Sequence, residues 1–216
     1  MKLKILTVGL MATDCYILWN DEKKDPETGR FPGIVVDPGD DAPAIAAFLS
    51  QAMIDPAAIL LTHGHFDHIG AVEELKKRYD LPVVAGSHEA EVLLNSAWNL
   101  SSMFTGNRIS MTADRLVSDG ELLQIPAEDP AFSFTVLETP GHTIGGVCYY
   151  LADCGILFSG DTLFEGSYGR TDFPTGSGSA LFMSIREKLM TLPEDTQVFP
   201  GHGASTTILN EKPLFI

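Results

Sequence analysis

Between Leu61 and Gly70 the chain reads LTHGHFDHIG, which holds His63, His65 and His68, half of the six histidines in the protein, together with Asp67. An imidazole is awkward in an apolar core and free to scatter over a surface, so crowding of this kind points to a shared task. Side chains two residues apart in extended backbone project to one face, which lets His63 and His65 grip one ion. Asp67 and His68 follow round the bend and can reach another. Neutral imidazole suits zinc or ferrous iron, and a carboxylate offsets part of the charge of a divalent cation.

Three further segments have the same form. LETPGHT, LFSGDTLF and VFPGHG are apolar runs that end in glycine and one donor, His142, Asp161 and His202 respectively. Glycine beside a ligand lets the backbone turn sharply and approach an ion closely. A single such residue would be a capping or packing residue, but four strand ends that all deliver His or Asp point to a metal centre. The remaining histidine, His88, reads as a partly exposed structural residue near a helix start. No GxSxG elbow offers a serine nucleophile. Cys15, Cys148 and Cys154 lack metal-type spacing and read as reduced thiols.

Local pattern predicts the elements that position these donors. KLKILTV and CYILWN are strands, followed by the polar loop DEKKDPETGRFPG. GIVVDPG is a buried strand ended by Asp37, Pro38 and Gly39. DAPAIAAFLSQAM has helical spacing, with Pro43 near its first turn. AAILLTH is a buried strand ending near Thr62, and GAVEELKKRYD is an amphipathic helix from about Gly70. His63, His65, Asp67 and His68 then share one strand-to-helix loop. LPVVAGS adds a strand, and SHEAEVLLNSAW a helix capped by Ser87. Residues 98–115 lack a clear period and read as a loop or short helix over one face, with Met and Phe residues assigned to packing ahead of lining an entrance. FSFTVLETPGH, VCYYLAD, GILFSGD and TQVFPGH read as strands, and SGSALFMSIREKLMTL as a helix. Strand runs broken by helices, with no flexible linker, imply one α/β domain over residues 1–216, two packed sheets with helices outside.

Composition narrows the function classes. At 216 residues, 44% hydrophobic and 20% charged, the chain is globular and can bury a sizeable core. A formal net charge of −15 disfavours a nucleic-acid partner. No run approaches the roughly 18 apolar residues needed to cross a bilayer, and the N-terminal segment lacks the cleavage site of a secretory leader. A cytoplasmic protein without a membrane partner is expected.

HxHxDH, TPGHT, SGDTLF and FPGHG together resemble the metallo-β-lactamase superfamily, and within it the small glyoxalase II-like thioester hydrolases. The resemblance extends over nearly the whole chain. It implies a four-layer αβ/βα sandwich with two divalent metal ions in a cleft at one edge of the paired sheets. His63, His65 and His142 would hold the first, Asp67, His68 and His202 the second, and Asp161 would bridge them. Zinc is the expected metal, and iron or manganese also suits these donors. Two cations would lower the pKa of a shared water from about 15.7 toward about 7, supplying hydroxide for attack on a small-molecule thioester. Asp67 would orient that nucleophile, and a cation would stabilise the oxyanion.

GDTLFEGSYGRTDFPTG looks like the corresponding loop of hydrolases without an accessory domain, and the short stretch after His202 leaves no C-terminal helical substrate domain. Where full-length glyoxalase II enzymes, which have that domain, carry a basic residue and then a tyrosine, Arg170 and Asp172 stand. Arg170 is the expected substrate contact, as a clamp for a carboxylate, or else braces the loop by a salt bridge to Asp172. Asp172 would repel an anionic thiol carrier. The alternative is a persulfide dioxygenase with one iron, since those proteins share HxHxDH and GRTDF and bind iron through the positions of His63, His142 and Asp161. Lactonase or β-lactamase activity ranks third, because the fold hosts many reactions.

Overall fold

The strand Thr13–Trp19 explains the layering. In a computed structural model, which describes residues 1–22, 24–126 and 130–216, this strand is almost wholly buried. Side chains of an extended chain alternate between faces, and here both faces are covered. Cys15 and Ile17 enter one apolar cluster, while Tyr16 and Leu18 enter another. The same division separates Val35 from Ile34 and Val36, and Cys148 from Val147 and Tyr149. Sheets that are apolar on both faces must form inner layers.

The first sheet has the order β1 (Lys2–Val8), β2 (Thr13–Trp19), β3 (Phe31–Val36), β4 (Ile54–Leu60), β5 (Val83–Gly86) and β6 (Arg115–Val117). Its first three strands are antiparallel, and β3 to β6 are parallel. The other strands are β7 (Leu122–Ile125), β8 (Phe132–Glu138), β9 (Val147–Leu151), β10 (Ile156–Gly160), the hairpin β11 (Leu163–Phe164) and β12 (Ser167–Tyr168), β13 (Gln197–Pro200) and β14 (Thr206–Thr207). Apart from the hairpin they build the second sheet, in the order β14-β13-β10-β9-β8-β7. Only β10 and β13 pair in parallel there among the described residues.

The helices are α1 (Ala42–Gln51), α2 (Phe66–Ile69), α3 (Val72–Tyr79), α4 (Ala90–Leu94), α5 (Ser101–Phe104), α6 (Gly178–Glu187) and α7 (Ile208–Phe215). Ile45 and Leu49 of α1, with Val72 and Leu75 of α3, close the outer face of the first sheet. Leu181 and Ile185 of α6, with Ile208 and Phe215 of α7, close that of the second. Between the sheets lie Tyr16, Ile34, Phe132, Phe134, Tyr149 and Phe158. The architecture is the expected four-layer αβ/βα sandwich. Among the described residues no helix is long and apolar enough to cross a membrane.

Two local expectations are revised. Asp67 and His68 sit not in an open loop but on α2, a single turn closed by the His68 N–H donating to the His65 carbonyl at 2.9 Å. The Asn99 carbonyl anchors this turn by accepting from the Phe66 N–H at 2.8 Å. Ser87 caps no helix. It lies within a 3-10 turn (Ser87–Glu89) that precedes α4, and its hydroxyl faces Glu138 at 3.4 Å. Glu89, the last residue of this turn, is drawn inward rather than left on the surface.

Candidate metal centre

Four strand ends meet at one edge of the paired sheets. The chain leaving β4 delivers His63 and His65, that leaving β8 delivers His142, that leaving β10 delivers Asp161, and that leaving β13 delivers His202. His65 Nδ1 lies 3.1 Å from His63 Nε2 and 2.9 Å from His142 Nε2. Asp161 Oδ1 stands 3.4 Å from His68 Nε2, while its Oδ2 is 3.5 Å from His142 Nε2 and 3.6 Å from His202 Nε2. Asp67 Oδ2 is 3.3 Å from His202 Nε2 and 3.9 Å from His68 Nε2. All seven residues singled out in the sequence are therefore neighbours, and His88 is exposed elsewhere. Crowding also dictates Gly201, where a Cβ would lie 2.2 Å from Asp161 Oδ1 and 2.6 Å from His68 Cε1.

The surroundings of each ring decide which nitrogen faces the cluster. The Arg170 carbonyl can only accept, so His142 donates from Nδ1 at 2.7 Å. Thr62 gives its hydroxyl proton to Asp37 Oδ2 at 2.6 Å, which leaves its oxygen to accept from His63 Nδ1 at 3.1 Å. Asp37 Oδ2 also accepts from His68 Nδ1 at 3.0 Å. With the proton fixed on the outer nitrogen, Nε2 of His63, His68 and His142 is turned inward, as a metal ligand requires.

Whether an ion fits can be judged from the groups left over. Buried His68 Nε2 and Asp161 Oδ1, which face the cluster, have no hydrogen-bond partner, a costly arrangement for polar atoms unless something else satisfies them. Three sets, His63/His65/His142, His63/His68/Asp161 and Asp67/His68/His202, each place donor atoms within 4.8 Å of one another. Burial lowers the pKa of His63, that of His65 to about 3, and that of His142, so these rings are neutral and free to donate lone pairs. Burial acts against His68 as well, yet Asp161, Asp37 and Asp67 raise its pKa well above the ordinary value. A cation at His68 therefore replaces a proton. Burial would raise Asp161, but the neighbouring His68 charge holds it well below the usual carboxylate range. The residues fit a His/Asp metal site.

Two buried carboxylates behind the donors escaped the sequence reading. Asp37 has φ 48°, an uncommon conformation for a residue with a side chain. Its Oδ1 accepts from the Thr62 N–H at 2.8 Å while Oδ2 orients His68. The run IVVDPG carries the same apolar-strand-then-donor signature as the other strand ends and would have flagged it. Glu89 is fully buried. Its Oε1 accepts from Gly64 N–H at 2.8 Å, and its Oε2 from Thr143 Oγ1 and Gly145 N–H, both at 2.9 Å. It thus ties the loop of His63 and His65 to the loop of His142. No local pattern announces a partner 25 or 56 residues away.

His65, Asp67, His142, Asp161 and His202 line an open cleft of about 560 Å³. Its walls include Met11, Phe66, Phe104, Phe164, Tyr168 and Phe173. Phe104, from the segment read as packing, is instead half exposed at this wall. The Arg170 side chain borders the cleft but is engaged by Asp172, with Nε and Nη2 donating to Oδ1 and Oδ2 at 2.7 Å each.

A metal centre of this kind links ion binding to stability. Zinc at a thousandfold excess over its Kd is expected to stabilise the fold by about 4 kcal/mol, and chelation to remove that increment. Calorimetric Tm with and without chelator measures it, and a Tm indifferent to both treatments would reject an ion site.

Comparison with known proteins agrees with the geometry. Residues 9–202 match the metallo-beta-lactamase superfamily. The chain is 39% identical over 214 residues to the probable metallo-hydrolase YqgX of Bacillus subtilis, covering 98% of this chain and 95% of that protein. It is 33% identical over 214 residues to the hydroxyacylglutathione hydrolase GloC of Haemophilus influenzae, with coverage of 98% and 95%. The crystal structure of BLEG-1, a B3 metallo-beta-lactamase, superposes with a TM-score of 0.89 at 40% identity, covering 98% of this chain and 97% of that one. TTHA1623 in a di-iron-bound form gives a TM-score of 0.81 at 34% identity, covering 96% of each chain.

Proposed function

The chain belongs to the metallo-β-lactamase superfamily, and from that premise we propose that it is a metal-dependent hydrolase of small thioesters. The supporting observation is the convergence of seven His and Asp donors, several of them buried and unpartnered, five of which line an open cleft. His63, His65 and His142 would hold one divalent cation, Asp67, His68 and His202 a second, and Asp161 would face both. Zinc suits this set, and the di-iron form of TTHA1623 makes iron the next candidate. Cations held there supply Lewis acidity, acidifying water and polarising an acyl carbonyl.

The chain's own residues supply the remaining requirements. Asp67 is pushed up by burial but drawn down by His68 to about 2, so it is ionised at neutral pH. Thr13 Oγ1 donates to its Oδ2 at 3.1 Å, which orients the carboxylate. Asp67 can then accept a proton from an attacking water at the cleft floor. The aromatic walls offer apolar surface against which an acyl chain can lie.

Thioester chemistry is favoured over other acyl transfers by the likeness to GloC. The B3 metallo-beta-lactamase at 40% identity supports a second reading, β-lactam hydrolysis. Metal-assayed protein should be offered S-lactoylglutathione, an uncharged lactoyl thioester, nitrocefin, and a persulfide with an oxygen electrode. The expected result is thioester kcat/KM of about 10⁴ M⁻¹s⁻¹ or above. Turnover of nitrocefin alone would replace the proposal with the β-lactamase reading. Oxygen uptake by iron-loaded protein without hydrolysis would replace it with a persulfide dioxygenase.

A further inference from the structure

We propose that the cleft takes acyl substrates whose portion beyond the scissile bond is apolar and uncharged, and that Asp172 enforces this choice by holding Arg170; the inference rests on the hydrolase reading above. Aromatic rings run from the donor cluster to the rim. Phe173 meets His65 edge-on at 6.0 Å and Phe104 edge-on at 6.0 Å, and Phe104 stacks on Phe66 at 5.6 Å. Met11, Phe104 and Tyr168 are 48%, 50% and 54% exposed at this wall. Apolar surface grouped at the mouth of a reactive site marks where a ligand lies.

Charge then selects among apolar ligands. Among the described residues lining the cleft, Arg170 is the one basic side chain outside the histidines. Its Nε and Nη2 are taken by Asp172 at 2.7 Å each, and the guanidinium lies 3.9 Å from the centre of the Phe173 ring. This pair takes the Nε/Nη2 edge, one of the two edges with which an arginine can clamp a carboxylate, and sets a fixed negative charge beside the other. A guanidinium and a carboxylate joined at 2.7 Å cancel each other's charge at neutral pH. Arg170 is also held in place, because its carbonyl accepts from His142. A net charge of −15 adds a general repulsion of anions.

Two thioesters of one acyl group separate these terms. S-lactoyl-N-acetylcysteamine has an uncharged carrier, whereas the carrier of S-lactoylglutathione has two carboxylates and one ammonium. Zinc-loaded wild type should favour the first in kcat/KM by about fivefold or more, the worth of one unit charge at 4 Å in water. Asp172→Asn should narrow that ratio by about fivefold, through KM rather than kcat, with the change fading as salt is raised. Adding Arg170→Gln to Asp172→Asn should abolish the gain. Titration calorimetry with unreactive S-methylglutathione gives a readout free of turnover, with binding about fivefold tighter in Asp172→Asn. A wild type that prefers the glutathione thioester would overturn the proposal. So would an Asp172→Asn protein that binds S-methylglutathione no better than wild type. If neither thioester is cleaved, the hydrolase reading fails, while the calorimetric comparison still decides the selectivity of the cleft.

Discussion

Asp161→Ala is expected to lower thioester kcat/KM by about 10³-fold or more and to leave the protein unable to hold its full complement of zinc. Losing a partner behind a metal ligand costs about 10- to 100-fold in affinity or activity, and Asp161 stands in front of those partners. Its two oxygens lie 3.4 to 3.6 Å from His68, His142 and His202, so one carboxylate faces donors of both proposed half-sites. Removing it leaves imidazoles with less negative charge to balance a divalent cation. His88→Ala is the reference, since that exposed ring lies outside the cluster. Kinetics on samples of measured metal content test the expectation. An Asp161→Ala protein with two zinc ions and wild-type turnover would exclude the residue from the site.

The donors at the strand ends were legible because each is set by chemistry confined to a few residues. A buried strand must be apolar, it must stop where the chain turns, and a His or Asp at the stop interrupts the pattern. His63, His142, Asp161 and His202 follow that rule, and so does Asp37, which its Pro-Gly neighbours disguised as an ordinary turn. Layering was legible for a related reason, since strands such as CYILW are apolar at every position and must be covered twice. Glu89 was hidden because its significance lies entirely in contacts with Gly64, Thr143 and Gly145, and a Glu after Ser-His reads most simply as the first turn of a helix. The aromatic wall was hidden as well. Phe66, Phe104 and Phe173 come from separate segments, and only the closing of the two sheets brings the rings together.

Glu89→Gln is expected to weaken the first zinc-binding step about 10- to 100-fold while sparing the second. The carboxylate accepts three hydrogen bonds, two of them at Oε2. Glutamine has one acceptor oxygen, so if that oxygen keeps Thr143 and Gly145, its amide N–H₂ confronts the Gly64 N–H. A buried donor without an acceptor costs about 1 to 3 kcal/mol, and Gly64 is the link between His63 and His65. The penalty therefore falls on the His63/His65/His142 half. Asp37→Asn should do the reverse, because Asp37 orients His68. Burial raises the Glu89 pKa from 4.5 to about 7, against the pull of its hydrogen bonds. The ion is thus costly in the fold, and the stability contributed by holding the proton is fully present below pH 4.5 and lost as pH rises through 7. Metal-free wild type should accordingly lose stability relative to Glu89→Gln across that interval. Stepwise zinc affinities from chelator competition, with urea unfolding of the metal-free proteins at several pH values, separate the two effects. Equal weakening of both zinc steps would show Glu89 to be a general brace of the fold rather than the support of one half of the site.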